Sequence, residues 1–449
     1  MESFELDRTD LSKLRKAIDG DDQVLSATLA EYHASEIAIL FENINAEDRQ
    51  RIINLLEVEK ASEVIAEMSE EAHPEELLIQ LHPEKRTEIV EELDYDDATD
   101  IISQLDADEQ QEILEDLSAD DAESIRNLLS YDEETAGGLM NTQMIKVNID
   151  LTKKDAIDEI IRQSEEIEEF YTVFVVDDEG GFRGIVSLKD IIKAKGNVKI
   201  TDMVNPDAVY VKADTDQEEV AKLLSQYNLT SIPVVDENKK LLGRVTFDDV
   251  IDVMEDENTE DILKISGVSE DEELAGNWVD AVKSRLPWLI INLGTAFLAS
   301  SVIRYFNETL DRLDVLSAYM TIIAGMGGNA ATQALAVTVR RISLFDLTDR
   351  QAYRAVLKEF TVGMINGAVT GLIVLVVAYF FDANLMLGLV IFLAMTGNLI
   401  VAGITGSAIP LMLKRVGIDP AIASSIIITT FTDVFGFFLL LGLASKLLL

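Results

Sequence analysis

The stretch Pro420–Leu449, PAIASSIIITTFTDVFGFFLLLGLASKLLL, decides the fold. It is long enough to cross a bilayer as one helix, since a span needs about 20 residues. Its single acid, Asp433, has 12 uncharged residues between it and Pro420 and 12 more before Lys446. An ionisable group at that depth is costly and marks a functional site by default. The bland alternative is an acid neutralised by protonation or by a basic partner. No basic residue lies inside any other apolar run, which argues against a fixed partner. A carboxylate is a hard anionic oxygen donor, so a path lined by Asp433 favours cations.

Working outward, five nearly uncharged runs cover about 286–303, 315–339, 360–381, 383–413 and 420–445. The connection after the second run holds Arg340, Arg341, Arg350, Arg354 and Lys358, and the one after the fourth holds Lys414 and Arg415. The connection after the third, at Asp382, holds none. Basic connections stay inside, so the amino terminus is expected in the cytoplasm and the carboxyl terminus outside a plasma (inner) membrane. The first 30 residues are acidic and lack an apolar core, in keeping with an N-terminal half that is not exported. Five spans make a small bundle, and a homodimer is the simplest way to enclose a pore. Polar or small groups lie at depth in Gly325-Met-Gly-Gly-Asn329-Ala-Ala-Thr332-Gln333 and from Asn398 through Ala402 and Gly406 to Pro410. Ala402 and Gly406 read as packing positions. Asn329 and Asn398 suit either packing or pore lining.

The formal charge of −45 is unevenly spread. From Leu286 onward there are 10 Lys+Arg and 9 Asp+Glu, so the preceding residues carry 27 basic and 73 acidic groups. The chain is thus a near-neutral membrane block behind a highly acidic block. Such an acidic half excludes a nucleic-acid partner. It must manage self-repulsion, which bound cations would relieve. There is no Cys, and the three His residues (His33, His73, His82) form no metal-ligand pattern. No phosphate-cradling loop, nucleophile elbow or His-Glu-x-x-His motif is present, so an enzyme is not expected.

Residues 1–132 carry a 12-residue repeat with one insertion before Leu81: Ile44-Asn-Ala-Glu-Asp, Leu56-Glu-Val-Glu-Lys, Met68-Ser-Glu-Glu, Leu81-His-Pro-Glu-Lys, Leu93-Asp-Tyr-Asp-Asp, Leu105-Asp-Ala-Asp-Glu, Leu117-Ser-Ala-Asp-Asp and Leu129-Ser-Tyr-Asp-Glu. Units open with capping-type residues (Asn45, Ser69, Asp94, Asp106, Ser118, Ser130) or with Pro83, and acids fill the first turn. Apolar pairs such as Ile52-Ile53 and Ile101-Ile102 follow. This predicts a superhelical stack of helices, each too short to be stable alone.

A longer repeat fills residues 133–257. Val173-Phe-Val-Val-Asp177 recurs as Ile232-Pro-Val-Val-Asp236, and Gly184-Ile-Val-Ser-Leu-Lys-Asp190 recurs as Gly243-Arg-Val-Thr-Phe-Asp-Asp249, both offset by 59. Each unit reads as helix, strand, turn, strand, helix. With Gly137-Gly-Leu-Met-Asn141 echoed at Asp202-Met-Val-Asn-Pro206, this resembles a tandem pair of cystathionine-β-synthase (CBS) domains. That resemblance implies a regulatory module with ATP as a possible ligand, and places Asp190, Asn205 and Pro206 near its cleft. Next, FDDVIDVMEDENTEDIL (Phe247–Leu263) lines up Asp249, Asp252, Asp256 and Glu260 on one helical stripe, with Glu257 and Asp261 beside it. Like charges at that spacing destabilise a helix unless water, salt or a cation intervenes. Carboxylates without Cys or His select Mg²⁺ or Ca²⁺. The helix is expected to run on through 258–283 into the membrane domain at 284–449.

Taken together the chain resembles the MgtE family of magnesium channels and transporters over its whole length. The motifs are Gly-Gly-Asn329-Ala-Ala-Thr-Gln333, Ala402-x3-Gly406-x3-Pro410 and Asp433. The resemblance implies a multidomain membrane protein: an all-α superhelical N-terminal domain, an α/β CBS pair, a connecting plug helix and five transmembrane helices. It implies Mg²⁺ uptake through a pore at a homodimer axis, closed by cytosolic Mg²⁺ bound between acidic domains. Asp433 inherits the pore-ion role, the Thr429 carbonyl a place one turn earlier, and Ser425 stands where relatives carry Asn; Asn329 joins them as a pore candidate. The sensor acids it implies are Asp96 and Asp100, Asp216 and Glu218, Asp249, Asp252, Glu257, Glu260 and Asp261, and Asp419. Asn228 follows Tyr227 where relatives can carry an acid, which predicts an altered sensor site. The competing reading is a nucleotide-regulated carrier of another divalent cation or solute.

Overall fold

A computed structural model describes residues 8–449 except 42, 70–71, 165–166, 168–169, 270–277, 346 and 424. The chain forms two compact units, Met1–Glu255 and Asp256–Leu449.

The first unit begins with ten short helices. They are α1 (Arg8–Ile18), α2 (Asp22–Leu29), α3 (Ala34–Phe41), α4 (Ala46–Leu55) and α5 (Val58–Ala66). Then come α6 (Pro74–Gln80), α7 (Pro83–Glu92), α8 (Tyr95–Ser103), α9 (Ala107–Asp116) and α10 (Ala119–Leu128). The 12-residue repeat is a helix of about ten residues plus a two-residue turn. Each helix packs on the next but one: α2 on α4, α4 on α6, α6 on α8, and α3 on α5, α5 on α7, α7 on α9. The apolar pairs fill the seam, with Ile52, Ile53 and Ile102 fully buried. Asn45, Asp106 and Ser118 cap as the sequence predicts, Asp106 in a full capping box. The last repeat departs from expectation. After Leu129 no helix forms; Ala136 N–H donates to the Thr215 carbonyl and Gly137 N–H to the Ala213 carbonyl. A Cβ on Gly138 would lie 2.6 Å from the Asp132 carbonyl oxygen, so this turn closes only on glycine.

Two equivalent α/β halves follow. The first holds β1 (Lys146–Asn148), α11 (Lys153–Gln163), β2 (Thr172–Val176), β3 (Phe182–Ser187) and α12 (Leu188–Lys193). The second holds β4 (Val211–Lys212), α13 (Gln217–Tyr227), β5 (Ser231–Val235), β6 (Leu241–Thr246) and α14 (Phe247–Ser266). Val173 pairs with Val186, and 59 residues on Ile232 pairs with Val245. The leading strands β1 and β4 were not in the sequence reading; at three and two residues they carry no alternation to detect. They lie parallel to β2 and β5.

α14 passes from the first unit into the second and stops at Ser266, short of the expected continuation. Gly267 takes a positive φ of 75°. Its N–H donates to the Lys264 carbonyl and that of Val268 to the Leu263 carbonyl, a Schellman stop. Part of the expected plug helix, 270–277, lies outside the described residues.

The second unit has five helices long and apolar enough to cross a membrane: α15 (Trp278–Tyr305), α17 (Leu316–Leu344), α18 (Asp349–Asp382), α19 (Leu385–Arg415) and α20 (Ser425–Leu447). Short α16 (Asn307–Arg312) joins the first two. α19 is the centre, packing on α17, α18 and α20, whereas α15 packs on α20 and leaves most of its surface open. Lipid gives helices no hydrophobic reason to associate, so close backbone approach must do it. Gly363, Gly367 and Gly371 on α18 face α19 such that an added Cβ would lie 2.3 Å from the Leu399 oxygen, 2.8 Å from Thr396 Cα and 3.0 Å from the Phe392 oxygen. Ala402 is fully buried, and a Cβ on Gly406 would lie 2.5 Å from the Ala331 oxygen, so both are packing positions as read.

A leucine at Gly367 should therefore separate α18 from α19. The expected loss is about 1–3 kcal/mol, read as a lower thermal midpoint of the detergent-solubilised protein. Gly294→Leu, where an added Cβ meets nothing within 4 Å, should leave the midpoint unchanged. Equal midpoints for the two variants would show that backbone contact does not hold these helices.

Candidate ion sites

The acid cluster starts from α8. Asp94 occupies its N-cap position but makes no capping hydrogen bond. Its carboxylate instead meets the Asn141 side chain and the charge of Arg244. Oxygens of Asp94, Asp96 and Asp97 all lie within 4.8 Å of one another. Asp96 is 8% exposed, and its Oδ1 has no hydrogen-bond partner among the described residues. Across from them stands the start of α14, where Asp249 Oδ2 accepts from Thr246 N (3.0 Å) and Thr246 Oγ1 (2.5 Å).

Burial, then the charges of Asp97, Asp249 and Asp94, push the Asp96 carboxyl well above the usual range. Burial, Asp94 and Asp249 push Asp97 up to about 7. Burial likewise raises Asp94 and Asp249, and it raises Asp252 with help from Glu255 and Glu67. An acid surface with a buried, unpartnered oxygen and only carboxylate donors fits a hard divalent cation. Of the acids expected here, Asp96, Asp249 and Asp252 contribute. Asp100 sits exposed one turn along α8, outside the three-acid group. Asp94 and Asp97 were missed; the signal was their spacing in Leu93-Asp-Tyr-Asp-Asp, which fits helix starts equally well.

Asp216 and Glu218 lie elsewhere. Asp216 caps α13 through Glu218 N–H (2.9 Å), and Glu218 is exposed in the first turn. Asn228, the departure after Tyr227, is the left-handed C-cap of α13 with φ 50°, a conformation Asn tolerates better than most residues.

In the second unit the rest of α14 meets the end of α17 and the α19–α20 connection. Lys264 pairs with Glu260 one turn back and with Asp419 at 3.1 Å. Asp261 accepts from Ser343 Oγ at 3.3 Å and is raised by burial and by Asp419. Arg340 donates to the Asn258 side chain at 2.8 Å. Glu257 is half-buried on the same helix. Glu260, Asp261 and Asp419 thus converge, but around an ammonium that the sequence reading overlooked. The i,i+4 spacing of Glu260 and Lys264 was its signal.

Ser425, Thr429 and Asp433 stand four residues apart on α20, all half-buried on one stripe. A Cβ on Gly328 would lie 3.2 Å from Thr429 Cγ2, so α17 crosses α20 there, and the adjacent Asn329 is exposed. Among the described residues, no ion pair or hydrogen bond reaches the Asp433 carboxylate. The Thr429 carbonyl already accepts from Thr432 Oγ1 at 2.9 Å. Asn398, left open by the sequence, is fully buried and donates to the Ile323 carbonyl at 3.0 Å, with Gly327 and Gly436 against it. It is packing glue.

In the CBS-like halves, Asn205 is pinned to β3 by a two-way backbone bridge with Ile185, and Pro206 beside it is exposed. Ser187 caps α12, accepting from Asp190 N–H at 3.1 Å, and Asp190 Oδ2 accepts from Ser187 Oγ at 2.6 Å. Ser187 and Asp190 are the repeat equivalents of Thr246 and Asp249.

Family models match three stretches: one described as a divalent cation transporter over 320–443, the MgtE intracellular N domain over 32–134, and the CBS domain over 136–197 and 200–256. A magnesium transporter MgtE of Thermus thermophilus is 33% identical over 438 residues, covering 96% of both chains. One of Enterococcus faecalis is 37% identical over 315 residues, covering 70% of this chain and 69% of its own. The crystal structure of the cytosolic domain of the Mg²⁺ channel MgtE in complex with ATP matches with a TM-score of 0.52 at 35% identity, covering 54% of this chain and 99% of that one.

The sign of the pH response follows from the raised carboxyls. The folded form holds protons that the unfolded chain has released. Without cation, this contact's contribution is therefore fully present below the ordinary aspartate value near 4 and is lost as pH rises through about 7. In chelator, amide protection of α8, corrected for intrinsic exchange, should fall on the order of tenfold between about pH 6 and 8. Millimolar Mg²⁺ should abolish that fall. Protection that is flat with pH in chelator would remove the strained cluster.

Proposed function

Because the chain belongs to the MgtE family of divalent cation transporters, we propose that it carries Mg²⁺ across the plasma membrane along a path that includes Asp433. Cytosolic Mg²⁺ closes that path by binding the acids around α14. The observation that carries the reading is the Asp433 carboxylate, half-buried on the Ser425–Thr429–Asp433 stripe and met by no protein cation or donor among the described residues. Mg²⁺ dehydrates reluctantly and binds through one or two carboxylates with several waters retained. One acid per chain, doubled in a homodimer, suits a hydrated ion. Ser425, Thr429 and Asn329 then offer neutral oxygens to its water shell.

The gate rests on α14. Its first turns carry Asp249 and Asp252 toward Asp94, Asp96, Asp97 and Glu67. Its last turns hold Asn258, Asp261 and Lys264 against Arg340, Ser343 and Asp419. Mg²⁺ at the first group replaces repulsion by shared ligation and fixes the helix. Cations stabilise closure only as far as they bind the closed form better. Glu257, Glu260 and Asp261 with Asp419 form a second cation-responsive group, partly neutralised in advance by Lys264. Basic residues of the α17–α18 and α19–α20 connections put those loops and the N-terminal unit in the cytoplasm, and the carboxyl terminus outside. ATP is a candidate modulator at the CBS-like pair, near Asn205, Pro206 and Asp190, given the ATP complex of the related cytosolic domain.

Two outcomes test this in liposomes. Asp433→Asn keeps shape and removes charge; Mg²⁺ flux should fall at least about tenfold while the thermal midpoint holds, and wild-type flux would sink the pore assignment. Asp96→Asn with Asp97→Asn should raise the Mg²⁺ concentration that half-closes the path by about tenfold or more. An unmoved closing concentration would place the sensor elsewhere.

A further inference from the structure

We propose that the membrane unit holds a seat for a zwitterionic aminoalkyl phospholipid headgroup between α17, α18 and α19, built on Lys358 and Glu359. A cleft of about 230 Å³ opens there, and its polar lining is Gln333, Lys358, Glu359 and Asn366. None of its lining residues belongs to α20, which carries the Asp433 stripe. The proposal needs α17–α19 to sit in a bilayer, and nothing about which ion the protein carries.

The lining is graded along α18. Lys358 stands where the apolar stretch begins, with Arg350 and Arg354 before it, and its side chain is 54% exposed. Glu359 is 8% exposed, and its Oε1 lies 3.5 Å from Lys358 Nζ. Asn366 lies two turns deeper, about 12 Å along the helix at 1.5 Å per residue. Gln333 faces the same cleft from α17. Neither the Gln333 nor the Asn366 side-chain amide meets a hydrogen-bond partner among the described residues. Polar groups at membrane depth require partners. Gly363 and Gly403 also line it, where an added Cβ would lie 2.3 Å from the Leu399 backbone carbonyl oxygen and 2.4 Å from the Glu359 backbone carbonyl oxygen.

The occupant follows from charge and donors. A lysine at the mouth suits a lipid phosphate at headgroup depth. A buried carboxylate beside it suits a cation that donates N–H bonds, and the pair's zero net charge matches a zwitterion. The two deeper amides offer N–H donors to ester carbonyls, which lie below the phosphate. An ethanolamine-type headgroup meets all of these. A quaternary choline has no N–H for Glu359, and a glycerol headgroup has no cation.

The test is native mass spectrometry of the full-length protein in detergent with equal amounts of phosphatidylethanolamine, phosphatidylcholine and phosphatidylglycerol. A parallel arm adds soluble phosphoethanolamine. Phosphatidylethanolamine should be retained about fivefold or more over the other two, the strength of one charge-assisted hydrogen bond. Glu359→Gln should bring its retention down to that of phosphatidylcholine. Lys358→Met, at a half-exposed position tolerant of change, should lower retention of all three lipids together. Equal retention of the three by the wild type, a preference for phosphatidylglycerol, or unchanged binding by Lys358→Met would overturn the proposal. Displacement of the lipid by equimolar soluble phosphoethanolamine would overturn it in favour of a free metabolite. Retention of no lipid, as when a second copy covers the cleft, would also overturn it.

Discussion

The constraint on which the rest depends is the enforced closeness of carboxylates around α8 and α14. Burial raises the proton affinity of Asp94, Asp96, Asp97 and Asp249, and the charges of neighbouring carboxylates add to it. Like charges in a desolvated contact are worth far more than on a surface. The apolar seams of α6–α8 and α8–α10 hold α8 in place regardless, so the repulsion is carried by the fold. A cation is the physical remedy that costs no protons.

The membrane unit solves a different problem by different means. It has little charge to spend and no hydrophobic drive between helices, so it relies on glycine. α18 and α19 touch backbone to backbone at Gly363, Gly367 and Gly403, and Asn398 ties α19 to α17 at a buried junction with α20. That rigid core leaves α20 free to present a polar stripe on its remaining face. Asn398 Nδ2 is satisfied by the Ile323 carbonyl while its buried Oδ1 meets no partner among the described residues, and the Asp433 carboxylate likewise meets none.

Much of this was legible in the sequence because it is periodic. A 12-residue step, a 59-residue offset and five apolar runs each translate into backbone geometry. The short strands β1 and β4 escaped because two or three residues have no period. The acid cluster was half legible. Asp96, Asp249 and Asp252 could be named, but Asp94 looked like a helix cap, and only tertiary packing turns its side chain away from that job. The repeat makes the point sharply: Asp190 and Asp249 occupy one position in two copies and each accepts from the hydroxyl three residues before it, yet Asp249 is the one whose charge bears on Asp96 and Asp97. Sequence symmetry cannot show which copy a neighbouring domain has recruited. Lys264 was invisible for the opposite reason, since a search for cation ligands passes over cations.

The stop at Gly267 has a mechanical corollary. α14 is a rod of 20 residues, about 30 Å long at 1.5 Å per residue. Its hydrogen-bond ladder ends in a left-handed joint at Gly267, so the ladder itself carries no twist past that residue. What the joint leaves intact is lateral displacement, delivered through the side contacts at Arg340, Ser343 and Asp419. In the gating proposed above, α14 would then act as a latch that presses sideways, bearing on three polar contacts rather than on torsional stiffness.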